Sequence, residues 1–349
     1  MSVAYSGSSL PSGNASMVAE LRCSNELAAM AFAAFPLGFG IGPLVLAPLS
    51  EVYGRWWVYV MSCAFYCIFL IPISRAENIA TVIVCRLLAG TAGSTGSTLV
   101  GGSIADLFDS SQRGAPMSLF SLAAFFGTGL APLVSGFVED GWGWRGIEYV
   151  QIVLSAVLFL TVVTLTKETR GSVILSRRAA KLRKETGDSK YQCRSDAERA
   201  SIPILIKNSM TRPVYLLATE ATVAAFSAFI GFAWGILYLC LEAVPLVMKE
   251  VYGFSAGQSG AVFASVVVAS LLGWLTNLYQ ERLYTHYVAK RGPEARLYAC
   301  MVGGLLFPSG IFIFAFSQGR GHWIGPCIGL VIVRRNPRPA STVPLRDCR

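Results

Sequence analysis

Eight long apolar blocks alternate with polar segments along the chain. Each block is close to the ~20 apolar residues that a helix needs to cross a bilayer. Backbone amides in hydrocarbon must be paired within their own segment, so the blocks are predicted to be membrane-spanning helices. They run over Leu27–Ser50, Trp56–Ile73, Ile79–Ala105, Ala115–Val138, Gly146–Thr166, Pro213–Leu241, Ala256–Leu278 and Tyr298–Ser317.

The longest polar stretch separates the first five blocks from the last three. Near the C-terminus, Trp323–Val333 begins like another span, but eleven residues rise only about 16 Å, half of a hydrocarbon core. We therefore predict an all-α polytopic membrane protein with about eight full transmembrane helices plus a partial one. Its regions are an extracytoplasmic N-terminal segment (1–26), a five-helix bundle (27–166), a basic cytoplasmic loop (167–212), a bundle of three helices plus a partial one (213–333) and an aberrant basic tail (334–349).

Positive charge is divided unevenly between alternate loops. The loops on the same side as the central loop carry 18 Lys and Arg residues, and the opposite set carries 5. This positive-inside pattern places the central loop in the cytoplasm and the N-terminus outside. The net charge of +9 is thus explained by topology and does not indicate a nucleic-acid partner.

Residue types that support catalysis or metal binding are scarce. The chain has two histidines, both in loops, and its nine cysteines form no pair of CxxC motifs. We expect no metal, no cofactor and no enzymatic activity.

Glycines in the first and third blocks predict close helix packing. Gly38, Gly42 and Gly90 remove side-chain bulk, so a neighbouring helix can approach closely. Just after the first block, Glu51, Gly54 and Arg55 form a tight charged turn at the predicted cytoplasmic boundary.

The segment GFGIGPLVLAPLSEVYGRWW (38–57) resembles the second helix and following turn of fungal drug:H⁺ antiporters, in the multidrug and polyamine exporter branch of the major facilitator superfamily. The resemblance implies that Glu51, Gly54 and Arg55 latch helices and act in a conformational switch. The alternative is an interfacial anchor, with Trp56 and Trp57 in an aromatic belt.

Arg86 is the only basic residue well inside a predicted span. A charge in the bilayer is expensive and usually marks a functional cavity, although snorkelling to the outer interface is the alternative. With Gly90 it matches the RxxxG element of the antiporters, which implies a role in proton coupling.

The fourth block contains GTGLAPLVSG (127–136), which resembles the glycine-proline element of the antiporter branch. Gly127, Gly129, Pro132 and Gly136 predict close packing and a bend.

Three further features leave alternatives open. Glu220, in the sixth block, is either a second residue for proton coupling or an acid at the level of the headgroups. Four aromatic residues of the same block either line a drug cavity or serve only packing: Phe226, Phe229, Trp234 and Tyr238. The basic run LSRRAAKLRKETGD (175–188) contacts anionic lipid or is a solvated linker. Asn14 begins a glycosylation sequon on the predicted outer face.

The resemblance covers residues 5 to 333 and implies the family's helices two to nine, with the first absent and the tenth cut short. We expect a transporter truncated at both ends: a monomeric, multi-pass protein of the plasma membrane, with the vacuolar membrane as the alternative. Its partners are protons, the lipid bilayer and a small-molecule substrate. The implied function is secondary active, proton-coupled efflux of drugs, toxins or polyamines by alternating access. A non-transporting fragment or a partner-binding membrane remnant is the alternative.

Overall fold

The chain folds into α-helices joined by short connections. The structure, a computed structural model, describes residues 1–109, 112–188, 190–193, 202–291, 297–319 and 322–334. Within these ranges there is no β-strand. The all-α prediction is confirmed.

The helices of the first half are, in order, α1 (Ser2–Ser9), a 3₁₀ turn (Leu10–Gly13), α2 (Asn14–Leu21), α3 (Asn25–Tyr53), α4 (Arg55–Ser74), α5 (Ile79–Gly93), α6 (Thr95–Leu107) and α7 (Gly114–Leu165). The remaining helices are α8 (Gly171–Thr186), α9 (Ile202–Thr219), α10 (Ala221–Tyr252), α11 (Ala256–Val262), α12 (Ala264–Arg291), α13 (Leu297–Ser317) and α14 (Ile324–Arg334).

Six helical segments in the described part of the chain are long and apolar enough to cross a membrane. One of them is the 52-residue α7, in which the backbone leaves the helical conformation at Gly143 (φ 67°, ψ −173°). Gly143 therefore divides α7 into two stretches, which correspond to the fourth and fifth apolar blocks. The C-terminal tail from residue 335 lies outside the described residues.

The predicted span Pro213–Leu241 is not continuous. It divides at Glu220, whose backbone is extended (φ −105°, ψ 103°), into the end of α9 and the start of α10. Pro213 lies inside α9. The apolar pattern alone could not locate this break, since residues on both sides of Glu220 favour helix.

The N-terminal segment, predicted to be extracytoplasmic, is packed into the helical bundle. Helix α1 packs on α7, and Tyr5, Leu10 and Met17 are almost completely buried. A Cβ atom on Gly127 of α7 would lie 2.7 Å from the carbonyl oxygen of Met1. Serine and glycine lower the average hydrophobicity of this segment, but their small size permits close packing, so composition understated its burial.

The two halves meet along α7. Its first stretch packs against α11 and α12, while α1 and α4 contact the same long helix from the first half. The apolar core joins buried residues of α3, α4 and α5 to Leu241, Val244 and Phe263 from the second half. Polar groups inside this core have to satisfy one another.

Candidate functional site

An ion pair lies in the centre of the first-half bundle. Arg86 of α5 donates from Nη1 to Glu148 Oε1 of α7 at 3.1 Å, and the two side chains are 1% and 0% exposed. Nη2 donates to the Ser6 carbonyl of α1 at 2.8 Å, and the guanidinium lies 5.7 Å from the centre of the Phe35 ring. Arg86 is thus enclosed by three helices and does not extend to the outer interface.

The ion pair is not fully satisfied by its neighbours. Arg86 Nε and Glu148 Oε2 are buried and have no hydrogen-bond partner among the described residues. Breaking a buried pair leaves an uncompensated charge at a cost of about 3–5 kcal/mol. The unused donor and acceptor are where a proton, a water molecule or a polar substrate group could bind.

Neutral polar groups extend this network towards α1 and α4. Gln151, three residues after Glu148, donates from Nε2 to the Tyr66 hydroxyl at 3.3 Å and to Ser6 Oγ. Its Oε1 accepts a hydrogen bond from Ser9 Oγ at 3.3 Å. All four side chains are buried, so α1, α4, α5 and α7 share one polar cluster within an apolar bundle.

The predicted charged turn is held by a carboxylate that arrives from the end of α7. Glu168 accepts the backbone N–H groups of Arg55 (3.0 Å) and Trp56 (3.3 Å) at the start of α4. An anion at this position satisfies free N–H groups and complements the helix dipole. Gly54 has φ 98°, and a Cβ atom there would collide with the Glu168 carboxylate, so this turn requires glycine.

Side-chain ion pairs connect the same turn to other elements. Arg55 Nε lies 2.7 Å from Asp106 Oδ2 on α6. Arg170 lies 3.6 Å from Asp106 Oδ1 and 3.9 Å from Glu51 Oε1. We call Glu51, Arg55, Asp106, Glu168 and Arg170 the cytoplasmic cluster, after the side of the membrane that the charge pattern predicts.

The predicted packing glycines lie in a close contact between α3 and α5. Gly38 faces the carbonyl of Leu87, and Gly90 faces the carbonyl of Phe35, so near that a Cβ atom on either glycine would collide. Gly42 lies in the same way against the turn that follows α5. This contact brings Arg86 close to α3.

The glycine-proline element lies in the seam between the halves. A Cβ atom on Gly136 would lie 2.5 Å from the carbonyl of Ala256, and one on Gly260 would lie 2.5 Å from the carbonyl of Pro132. Gly129 faces Val266 of α12 in the same way. The small residues of α7 therefore let α11 and α12 approach its backbone directly.

Aromatic residues of α10 also bridge the halves. Tyr238 lies 5.6 Å from Phe32 of α3, and Trp234 lies 6.3 Å from Phe125 of α7, measured between ring centres. Phe226 and Phe229 are exposed. Of the four predicted cavity residues, Trp234 and Tyr238 thus make the contacts between the halves.

A groove of about 690 Å³ opens between the C-terminal end of α3 and α9. Its walls are mainly apolar, with Glu51 and Arg212 among the charged residues that line it. Trp234 and Tyr238 are not part of this lining.

Two predicted site residues fall outside these arrangements. Glu220 is exposed at the break between α9 and α10. Asn14 starts α2 with its Oδ1 buried, and Ser16 of its sequon accepts the N–H of Trp144. A sequon folded into a packed helix does not present the exposed loop that glycan attachment uses.

Glu148, Glu168 and Arg170 are functional residues that the sequence pattern did not predict. Glu148 lies inside the predicted span Gly146–Thr166, so an intramembrane carboxylate could have been proposed as the partner of Arg86. Glu168 and Arg170 resemble ordinary loop charges in the sequence, because Glu168 caps a helix that starts 113 residues earlier and Arg170 pairs with Glu51 and Asp106. Among the residues searched, no group of His, Cys, Asp and Glu side chains is arranged to hold a metal.

Comparison with known proteins shows what this architecture is similar to. The family model of the Major Facilitator Superfamily matches residues 1–333. The chain is 34% identical over 332 residues to the transporter paaT of Penicillium rubens, covering 94% of this chain and 61% of that protein. It is 34% identical over 337 residues to the efflux pump FUB11 of Gibberella moniliformis, covering 95% of this chain and 56% of the pump.

A yeast relative and two solved structures extend the comparison. The multidrug transporter TPO1_2 of Candida glabrata is 32% identical over 303 residues, 84% of this chain and 52% of that protein. The xylose transporter XylE from E. coli, in a partially occluded inward-open conformation, gives a TM-score of 0.65 at 16% identity, covering 96% of this chain and 80% of XylE. A point mutant of the nucleoside transporter NupG gives 0.58 at 14% identity, covering 96% of this chain and 77% of NupG.

These sequence relatives are longer than the chain, which spans between 52% and 61% of their length. The family match nevertheless includes both halves, the glycine contacts, the buried arginine and the charged turn. The chain belongs to the Major Facilitator Superfamily.

Proposed function

We propose that the chain acts in secondary active efflux of small molecules, with proton entry driving export by alternating access. The observation that carries this proposal is the Arg86–Glu148 pair, because a carboxylate buried inside a spanning bundle is a proton carrier with a fixed cationic partner. Relatives that are an efflux pump and a multidrug transporter favour export of drugs, and the resemblance extends the proposed substrates to toxins or polyamines.

The proposed coupling follows from the charge balance of the pair. When Glu148 is ionised it neutralises Arg86, and the buried arrangement is favourable. A proton on Glu148 removes that neutralisation and leaves Arg86 as a buried cation held by the Ser6 carbonyl. The conformation in which water or substrate reaches the guanidinium is then favoured.

The cytoplasmic cluster supports a second part of the proposal. The Asp106 carboxylate accepts a hydrogen bond from Arg55 and forms an ion pair with Arg170. One carboxylate therefore connects the start of α4 to the segment after α7. Movement of α7 relative to α4 would exchange or release these ion pairs. We propose that these ion pairs act as a conformational latch, of which Glu51, Gly54 and Arg55 form part. We also propose that the protein resides in the plasma membrane or the vacuolar membrane.

The alternative function is a non-transporting fragment or a partner-binding membrane remnant. The observation that favours it is the exposure of large apolar side chains on α10, namely Phe226, Phe229 and Phe232. An uncovered apolar face of this kind could bind a partner protein.

The deciding experiment measures drug accumulation in yeast that lacks its own exporters. The proposal expects the chain to lower accumulation, a proton uncoupler to abolish the effect, and Glu148→Gln to abolish it while keeping the shape of the side chain. Glu20→Gln, which changes an acid outside the buried network, is the matched control and should export normally. Expressed, membrane-inserted chain without any effect on accumulation would favour the non-transporting alternative, and uncoupler-sensitive export by Glu148→Gln would refute the assigned carrier.

A further inference from the structure

We propose that one face of α8 binds the headgroups of anionic phospholipids in the leaflet next to the cytoplasmic cluster. The face consists of Arg177, Arg178, Lys181 and Lys184, and we call it the basic face of α8. Arg177, Lys181 and Lys184 are three or four residues apart and so lie on one side of the helix, Arg178 borders them, and all four residues are exposed.

The first turn of α8 rests on the protein. Val173 is 5% exposed, and its Cγ1 would lie 3.3 Å from a Cβ atom on Gly54. Ser176, Ala179, Ala180 and Leu182 are half-buried. The first turn of α8 is thus held against the Gly54 turn, while the four basic side chains beyond it are exposed.

The basic face carries positive charge that the protein does not neutralise. Lys181 forms an ion pair with Glu185 at 3.7 Å. Arg177, Arg178 and Lys184 have no ion pair within the part of the chain that the structure describes. The face therefore carries a net positive charge that an acidic surface would complement.

The position of α8 in the chain favours lipid as that partner. Helix α7 ends at Leu165 and α8 begins at Gly171, so five residues connect them and span at most about 17 Å. Within this connection Glu168 is fixed to the start of α4, another predicted span. The helix consequently starts at the level where the spans end, close enough for the surface charge of an acidic leaflet to act on it.

Exposed apolar side chains next to the basic residues point the same way. Ile174 is 43% exposed and Leu175 is 58% exposed, both in the turn nearest the span. A helix that combines exposed apolar residues with Lys and Arg lies in the membrane interface and does not need a soluble acidic protein. Because Arg170 immediately precedes α8, lipid binding would also hold a member of the cytoplasmic cluster.

The test uses the full chain, purified in detergent with equal amounts of phosphatidylserine and phosphatidylcholine, and counts the lipids retained by mass spectrometry. We expect a clear preference for phosphatidylserine that high salt removes. Each Lys or Arg near an anionic surface strengthens binding to that surface about fivefold. The variant with Arg177, Arg178, Lys181 and Lys184 all changed to Gln should therefore lose at least about tenfold in that preference.

Two control variants separate the basic face from net charge. Lys181→Gln with Glu185→Gln leaves net charge unchanged and should keep most of the preference. A variant with Arg335, Arg338, Arg346 and Arg349 changed to Gln loses as much charge as the fourfold variant and should keep the preference in full.

Amide hydrogen exchange over residues 171–186 gives a second readout, in nanodiscs of phosphatidylcholine with or without phosphatidylserine. Slower exchange with phosphatidylserine in the parent chain, absent in the fourfold variant, supports the proposal. Equal exchange in both membranes for the parent chain overturns it, as does a fourfold variant that keeps its lipid preference. Neither readout depends on transport, so a chain that exports nothing can still bind lipid as proposed.

Discussion

Removing either member of the Arg86–Glu148 pair should destabilise the fold far more than removing both. The side chains are 1% and 0% exposed, so each single substitution leaves the other charge in the bundle without compensation. We expect Glu148→Leu and Arg86→Met each to lower the free energy of unfolding by about 3–5 kcal/mol. The double variant should lie within about 2 kcal/mol of the parent chain, because an apolar pair needs no compensating charge.

The assay is a double-mutant cycle, with free energies of unfolding measured by SDS titration in mixed micelles. Arg145 and Glu20 provide a control pair at 2.7 Å whose side chains are 26% and 48% exposed. Their coupling should be no more than about 1 kcal/mol, since water screens an exposed pair. If the losses in free energy of unfolding for Arg86→Met and Glu148→Leu simply add in the double variant, the two charges do not neutralise each other. The proposed proton switch then loses its physical basis.

Three further predictions concern the turn, the seam and acid stability. Gly54→Ala should lower the free energy of unfolding by about 1–3 kcal/mol, seen as a lower unfolding temperature, because Gly54 has a positive φ. Gly40→Ala, with open space around its Cβ position, should leave the unfolding temperature almost unchanged. Equal changes in unfolding temperature for the two variants would contradict a strained turn at Gly54. Gly260→Ala should destabilise by about 1–3 kcal/mol through overpacking of the seam, and a shift as small as that of Gly40→Ala would show that the seam can open freely. A hydrogen bond from Arg145 lowers the pKa of Glu20 in the folded chain. The ionised Glu20 therefore contributes its full stabilisation above the ordinary pKa of a glutamate, and this contribution is lost as the pH falls through the lowered pKa. Over this acid range the unfolding temperature of Glu20→Gln should change less than that of the parent chain.

The apolar pattern was sufficient for the helical class and for most span positions, because hydrocarbon leaves a long apolar segment no alternative to helix. It was insufficient at Glu220 and in residues 2–21. The first is a one-residue break inside a long apolar block, and the second is a serine- and glycine-rich segment whose burial depends on small size rather than hydrophobicity.

The candidate site was only half accessible from the sequence. Arg86 stands out because a lone cation in an apolar block is unusual, but its partner lies 62 residues away on another helix. The role of Glu168 likewise depends on tertiary structure, since a carboxylate becomes a helix cap only when a helix start is brought to it. Pairings between distant elements are what single-residue patterns cannot supply.

The single-residue break at Gly143 has a consequence for mapping the topology of the chain. Its backbone conformation is essentially restricted to glycine. The connection within α7 therefore has no flexible loop that could accept an inserted epitope or be cut by a protease. Methods that depend on a flexible loop would therefore give no signal at this crossing. A cysteine at Gly141, where a side chain would meet nothing within 4 Å, would instead report the exposed side through a membrane-impermeant thiol reagent.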